Sequence, residues 1–217
     1  MLFYLTGDIQ TGKTRWLERM IDELEQANVT VQGVIAPGDW RKAGEGFEKL
    51  GIDNVLLPQG ERIPFARRRD LAQCDGKGRS TSQSERAQLG WAIDDNAIAT
   101  VNAHLARIMD GAGCATQPAP NNRLSRKASE PEASPALLVI DEIGRLELEC
   151  ECGLTNAVRL LDRGATESLP HALVIVRSAL LDAAKLRFSD TLWNGALEIR
   201  PDDRSRCALL DAFGIPT

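Results

Sequence analysis

Uninterrupted apolar runs stand at Leu2-Phe3-Tyr4-Leu5, Leu137-Leu138-Val139-Ile140 and Ala172-Leu173-Val174-Ile175-Val176. A strand open to water on one face alternates apolar with polar residues. Unbroken runs instead fit strands buried on both faces, as in a parallel sheet with helices on each side. The pattern predicts strands over 2–6, 29–35, 137–140, 172–176 and 197–199. Between them, apolar residues return at helical spacing. Leu17, Met20, Ile21 and Leu24 share one face of a helix over 13–27. Ile98, Val101, Leu105 and Ile108 share one face of a second, which Asp94 or Asp95 caps and which runs to Met109. Further helices are predicted over 154–168, around 179–187 and over 202–213. Strands alternating with helices give the expected class: α/β, three layers α/β/α, on a mainly parallel sheet.

Two stretches break the rhythm. Residues 46–68 carry short apolar runs, Val55-Leu56-Leu57 and Ile63-Pro64-Phe65-Ala66, separated by turn residues at Gly51-Ile52-Asp53-Asn54 and Pro58-Gln59-Gly60. They read as an antiparallel β-meander at one edge of the sheet, followed by a polar loop over 70–84 able to lie across a site. Residues 111–135 are rich in Ala, Pro, Ser and Asn without apolar periodicity. They read as a flexible insertion in what is otherwise one domain over 1–217.

The chemistry enters between the first strand and its helix. Gly7-Asp8-Ile9-Gln10-Thr11-Gly12-Lys13-Thr14 fits the phosphate-loop (Walker A) pattern G-x-x-x-x-G-K-[ST], in the strand–loop–helix setting that the pattern requires. Backbone amides over residues 9–14 converge on phosphate oxygens only where the chain wraps closely, which Gly7 and Gly12 permit. The helix start adds its free amides and dipole. Lys13 is placed to reach the β- and γ-phosphates, and the Thr14 hydroxyl to coordinate Mg²⁺. A structural turn needs no lysine followed by a hydroxyl. Arg15 adds a positive charge beside the loop.

At the end of the 137–140 run stand Asp141 and Glu142, a Walker B arrangement on the sheet edge where α/β folds bind ligands. Asp141 suits the Mg²⁺ shell, and Glu142 suits orienting or deprotonating a water. Arg177 closes the 172–176 run on the same edge and is the first candidate for stabilising charge on the γ-phosphate. Arg145 and the Arg67-Arg68-Arg69 run are further candidates.

Asp141-Glu142-Ile143-Gly144-Arg145-Leu146-Glu147-Leu148 resembles the D-E-I-G-K-M-E-L signature of a small P-loop nucleoside-triphosphatase family. Its members occur in thermophilic bacteria and archaea and, as cancer-related nucleoside-triphosphatase, in animals. Gly33-Val34-Ile35-Ala36-Pro37-Gly38, Gly46-Phe47, Gly60-Glu61-Arg62 and Leu89-Gly90-Trp91-Ala92-Ile93-Asp94 are also similar to that family's pattern. The resemblance implies slow, Mg²⁺-dependent hydrolysis of nucleoside triphosphates (ATP, GTP, CTP and UTP) to diphosphates, with loose base preference. Nucleotide contacts would fall on Asp8, Ile9, Gln10, Thr11, Gly12, Lys13, Thr14 and Arg15, and on Asp141, Glu142, Ile143 and Gly144. Gln10 stands where the family usually has glycine, and Arg15 where it has threonine.

Composition narrows the partners. Lys and Arg number 26 against 31 Asp and Glu, a net charge of −5, so no overall basic field draws nucleic acid or an anionic membrane. No apolar run approaches the ~20 residues of a bilayer span, and no leader precedes the first strand, so a cytoplasmic location is expected. Five cysteines (74, 114, 150, 152 and 207) include no C-x-x-C pair and read as reduced thiols. A nucleoside-triphosphate phosphohydrolase is therefore the leading expectation. A nucleotide or small-molecule kinase on the same core and a nucleotide-gated assembly factor are its rivals.

Overall fold

Alternate residues of each central strand face opposite helical layers, and this is why the apolar runs are unbroken. The computed structural model describes residues 1–8, 11–44, 46–72, 82–87, 89–111 and 135–216. Among them nine strands form one sheet: β1 Leu2–Leu5, β2 Thr30–Ile35, β3 Gly38–Ala43, β4 Gly46–Leu57, β5 Glu61–Arg68, β6 Trp91–Ile93, β7 Ala136–Ile143, β8 His171–Val176 and β9 Ala196–Ile199. The helices are α1 Lys13–Gln26, α2 Arg69–Ala72, α3 Gln83–Arg86, α4 Asp95–Met109, α5 Arg145–Leu148, α6 Thr155–Arg163, α7 Leu181–Arg187 and α8 Asp203–Ala212. Phe3, Leu5, Leu137, Val139, Leu173 and Ile175 pack with Leu17, Met20 and Leu24 of α1 and Leu209 and Leu210 of α8. Leu2, Tyr4, Leu138, Ile140, Val174 and Val176 pack on the other face with α4, α6 and α7. The result is the expected three-layer α/β/α fold on a sheet whose central strands are parallel.

The sheet order is β6-β5-β4-β2-β7-β8-β1-β9, with β3 paired to β4 off this path. Strands β2, β7, β8, β1 and β9 run parallel, and β3 to β6 are antiparallel. The expected meander is present at one edge, but its course differs. Gly51-Ile52-Asp53-Asn54 is no turn. These residues lie inside the twelve-residue β4, paired with β3 on one side and β5 on the other, with a bulge between Ile52 and Asp53. Gly51 serves close approach: a Cβ there would run into the Arg67 guanidinium and come within 2.9 Å of the Ala66 carbonyl. The turn at Pro58–Gly60 forms as expected.

Three other boundaries move. β3 was not expected, because GDWRKA is largely polar; it is a strand only by pairing with β4. Helix α6 ends at Arg163, five residues short of the expected 168, where Gly164 turns to φ 80. Strand β7 continues past the apolar run through Asp141 and Glu142, because the buried Ile143 still pairs with Val176. Asp94 is the N-cap of α4, accepting the Asn96 amide at 2.9 Å, and Asp202 caps α8 by accepting the Ser205 amide at 2.8 Å. Most of the 111–135 insertion, all but Gly111 and Pro135, lies outside the described residues, as does most of the 70–84 loop. No helix among the described residues is long and apolar enough to cross a membrane.

Candidate functional site

β1, β8 and β7 stand side by side, so their C-terminal ends bring three sequence-distant segments together. From β1 the chain enters the glycine loop. Ile9 and Gln10 of that loop lie outside the described residues. Gly12 adopts φ 83, a left-handed turn that leads directly into α1, and the first amide to find a helical carbonyl is that of Trp16, on Gly12 at 2.9 Å. The amides before it have no partner within the helix by its geometry, and they point out of its N-terminus. Lys13 folds back over the loop, donating to the carbonyls of Gly7 at 2.8 Å and Asp8 at 2.6 Å. Burial pulls the Lys13 amine down from its ordinary value, while Glu142, Asp141 and Asp8 hold it up.

β7 contributes the carboxylates. Asp141 is 6% exposed; its Oδ2 accepts the Ala36 amide at 2.9 Å, and it also hydrogen-bonds with the Thr14 side chain. Burial pushes its carboxyl up to about 6, with the neighbouring Glu142 adding to the rise. Two residues of β7, Asp141 and Glu142, fall between the β8 partners of Ile140 and Ile143, where β8 has only Ile175. This bulge turns Glu142 to φ 77, a conformation uncommon outside glycine. Strain of this kind collects at functional sites. Arg177, the first residue after β8, pairs with Glu142 at 2.5 Å.

Behind the carboxylates, Glu147 is an anchor. Its Oε2 accepts the Gly144 amide at 3.0 Å and its Oε1 the Leu154 amide at 2.8 Å, tying both ends of the 144–154 segment to one partly buried side chain. Burial pushes its carboxyl up, against these two bonds. Of the other candidates, Arg145 pairs with Glu149 at 2.7 Å. The Arg67-Arg68-Arg69 run is committed to its own neighbourhood: Arg67 pairs with Asp39, Arg68 with Glu48 and Asp70, and Arg69 donates to the carbonyls of Leu89 and Ser84. Ile143 is buried core, and Gly144 precedes α5. Arg15 is exposed at the start of α1.

Two features escape the sequence reading. Only Val55–Leu57 of β4 pair with β2, so residues 46–54 project past the sheet edge that carries the carboxylates. On that projection Lys49 sits with its amine 5.5 Å from the Trp91 ring and 6.0 Å from that of Trp40. Burial lowers its pKa, while Glu142 and Asp141 raise it. No residue pattern announces this, because it depends on how far β4 overshoots β2. The second feature is a cavity of ≈ 450 Å³ between the acidic edge and the meander, with Asp141, Glu142 and Arg177 at one end and Asn54, Phe65 and Trp91 in its walls.

The glycine loop, a lysine, a hydroxyl beside a buried carboxylate and a second, strained carboxylate meet at this edge of the sheet. Residues 2–91 match the family model NTPase. That match makes this part of the chain similar to a family of nucleoside triphosphatases. It takes in β1, the glycine loop and the meander up to the first residue of β6, and stops short of the carboxylates on β7. No curated protein and no solved structure matches the chain.

Proposed function

We propose that this protein hydrolyses nucleoside triphosphates to nucleoside diphosphates and phosphate, with Mg²⁺ and little regard for the base. The observation that carries the reading is Glu142, held at φ 77 by the bulge in β7 and paired with Arg177 at 2.5 Å, beside the buried Asp141 and opposite Lys13. The phosphate loop, with Ile9 and Gln10 in its free positions, holds the β- and γ-phosphates, and Lys13 leaves its backbone partners to meet them. Glu142 accepts a proton from the attacking water, and Arg177 shifts from Glu142 toward the charge that develops on the γ-phosphoryl oxygens.

The residues fit Mg²⁺: Thr14 offers a hydroxyl next to Asp141, and the raised pKa of that buried carboxyl marks negative charge that a hard cation would offset. Thr14 and Asp141 would hold it. Bound there, Mg²⁺ would supply charge neutralisation at the β- and γ-phosphates.

Phosphate release from ATP, GTP, CTP and UTP, with and without chelator, tests the reading on wild type, Lys13→Ala and Glu142→Gln. Wild type should release phosphate from all four, and chelator should stop it. Lys13→Ala should lose nucleotide binding. Glu142→Gln should keep binding while turnover falls by about 10²–10⁴. Full turnover in Glu142→Gln would remove it as the water-activating group.

A further inference from the structure

The cavity at the acidic edge has two ends of different chemistry. Asp141, Glu142 and Arg177 form one; Asn54, Phe65 and Trp91, all from the meander, form the other. Among the described residues, none of Gly7, Asp8 and 11–15 lines it. A triphosphate held by the loop and the start of α1 leaves this space on the far side of Glu142, where the nucleophile belongs. A single water needs only a small fraction of a ≈ 450 Å³ cavity, which instead lies in the range of small-molecule sites.

Asn54 says what kind of molecule. It is 2% exposed and lines the cavity, and a carboxamide carries both a donor and an acceptor. A ligand that pairs with both the donor and the acceptor of such an amide makes two hydrogen bonds shielded from water. The edge of a nucleobase offers such a pair, and the Trp91 and Phe65 rings offer planar faces for stacking. Charge argues against a phosphorylated guest. Four lining carboxylates, Asp141, Glu142, Glu147 and Glu149, face two guanidiniums, Arg145 and Arg177, each already paired with one of them.

We propose that this cavity binds a neutral nucleoside and that one of its hydroxyls replaces water as the acceptor of the γ-phosphoryl group. The proposal rests on the reading that Glu142 activates the nucleophile. The hydroxyl oxygen bonds to the γ-phosphorus, and the bond from that phosphorus to the β–γ bridging oxygen breaks, its electron pair leaving with the nucleoside diphosphate. The hydroxyl proton passes to Glu142. The products are a nucleoside monophosphate and a nucleoside diphosphate; phosphate release is what remains when the cavity holds only water.

The test is run on the full chain with γ-³²P-labelled ATP or GTP and Mg²⁺, adding adenosine, guanosine, cytidine or uridine in turn. Label is followed into nucleoside monophosphate and into free phosphate. Nucleoside binding is read separately, without triphosphate, by saturation-transfer NMR. Label in a nucleoside monophosphate is expected, with nucleoside binding weakened at least tenfold in Asn54→Leu. Trp91→Leu, on another strand, should weaken it too, and thermal melts establish that each variant is folded. If phosphate is released and no nucleoside binds or takes label, the proposal falls while the hydrolase reading stands. If a nucleoside binds through Asn54 and no phosphoryl group ever leaves the triphosphate, the hydrolase reading fails and transfer falls with it. Displacement of the nucleoside by a non-hydrolysable triphosphate would show that the cavity takes the donor's own base, which also overturns the proposal.

Discussion

The parallel half of the sheet and the antiparallel meander share β2 as a border but are held by different means. In the parallel half, β1, β7 and β8 are covered on both faces, and every residue from Ala136 to Ile140 is buried. In the meander, β3 is mostly exposed, Phe47 is 72% exposed at the start of β4, and ion pairs such as Arg67–Asp39 and Arg68–Glu48 lie at the surface. The well-packed half carries Asp141 and Glu142 at its edge, and the more exposed half adds Ile52, Asn54, Phe65 and Trp91 to the walls of the cavity. Burial is concentrated in the parallel core, while the projecting strands are held largely by pairing with one another.

Truncation is the most direct way to break this comparison. Leu138, fully buried on β7, touches helices of the α4 layer, and Leu138→Ala should cost about 2–5 kcal/mol from lost burial and the cavity left behind. Phe47→Ala should cost less than about 0.5 kcal/mol, since nothing is uncovered. Urea melts of both variants measure it. Similar midpoints for the two would mean that the meander bears as much of the fold as the core.

Glu147 tests the junction at the acidic edge. Glu147→Ala leaves the amides of Gly144 and Leu154 without their acceptor in a buried setting, at a cost of about 2–3 kcal/mol, and frees the segment that follows Glu142. Glu147→Gln keeps one amide oxygen and should lose about half as much. A Glu147→Ala protein as stable as wild type would show that α5 is positioned by packing alone.

Within the meander, Lys49 interacts electrostatically with Glu142 and Asp141. Lys49→Met keeps an apolar stem between Trp40 and Trp91 and removes the amine that interacts with Glu142 and Asp141. For triphosphate hydrolysis kcat/KM should fall about tenfold, roughly 1.4 kcal/mol. The melting temperature should stay within about 2 °C. An unchanged kcat/KM would confine the meander to cavity walls with no electrostatic part.

What could be read in the sequence follows the same division. The strands of the parallel half were legible because burial on both faces leaves unbroken runs, and the glycine loop because its pattern is dense. Asp141 and Glu142 were legible as a pair, but the bulge that turns Glu142 to φ 77 was not, since it depends on how β7 counts against β8. Glu147 stood inside the family-like signature without its anchoring role, which needs Leu154 folded back onto it. In the meander local composition misled. Gly51-Ile52-Asp53-Asn54 has turn chemistry, yet pairing on both sides draws it into a strand, and Gly38–Ala43 becomes a strand through its partner alone. Asn54 and Lys49 were invisible for the same reason.

His104 joins the two regions and gives the smallest predicted effect. It is buried on α4, and its Nε2 lies 3.1 Å from the Gly33 carbonyl on β2, at the residue that pairs with Leu57 of β4. A neutral ring with its proton on Nε2 donates to that carbonyl. Burial lowers its pKa below the ordinary 6.5; the Gly33 bond opposes this, Arg107 adds to it, and Leu57 and Glu61 oppose it. Because the unfolded chain takes up a proton more readily than the folded one, stability rises with pH across this range. His104 therefore favours the fold fully above about pH 6.5, and that contribution is lost as pH falls from 6.5 through the lowered folded value. Thermal melts at pH 7.5 and 5.5 should show wild type losing more than His104→Gln, which can still donate to Gly33 and has no proton to gain. The difference should be on the order of 2 °C. Parallel behaviour of the two proteins would mean that water reaches the imidazolium at this seam, and that the border between core and meander opens more easily than the packing around β2 implies.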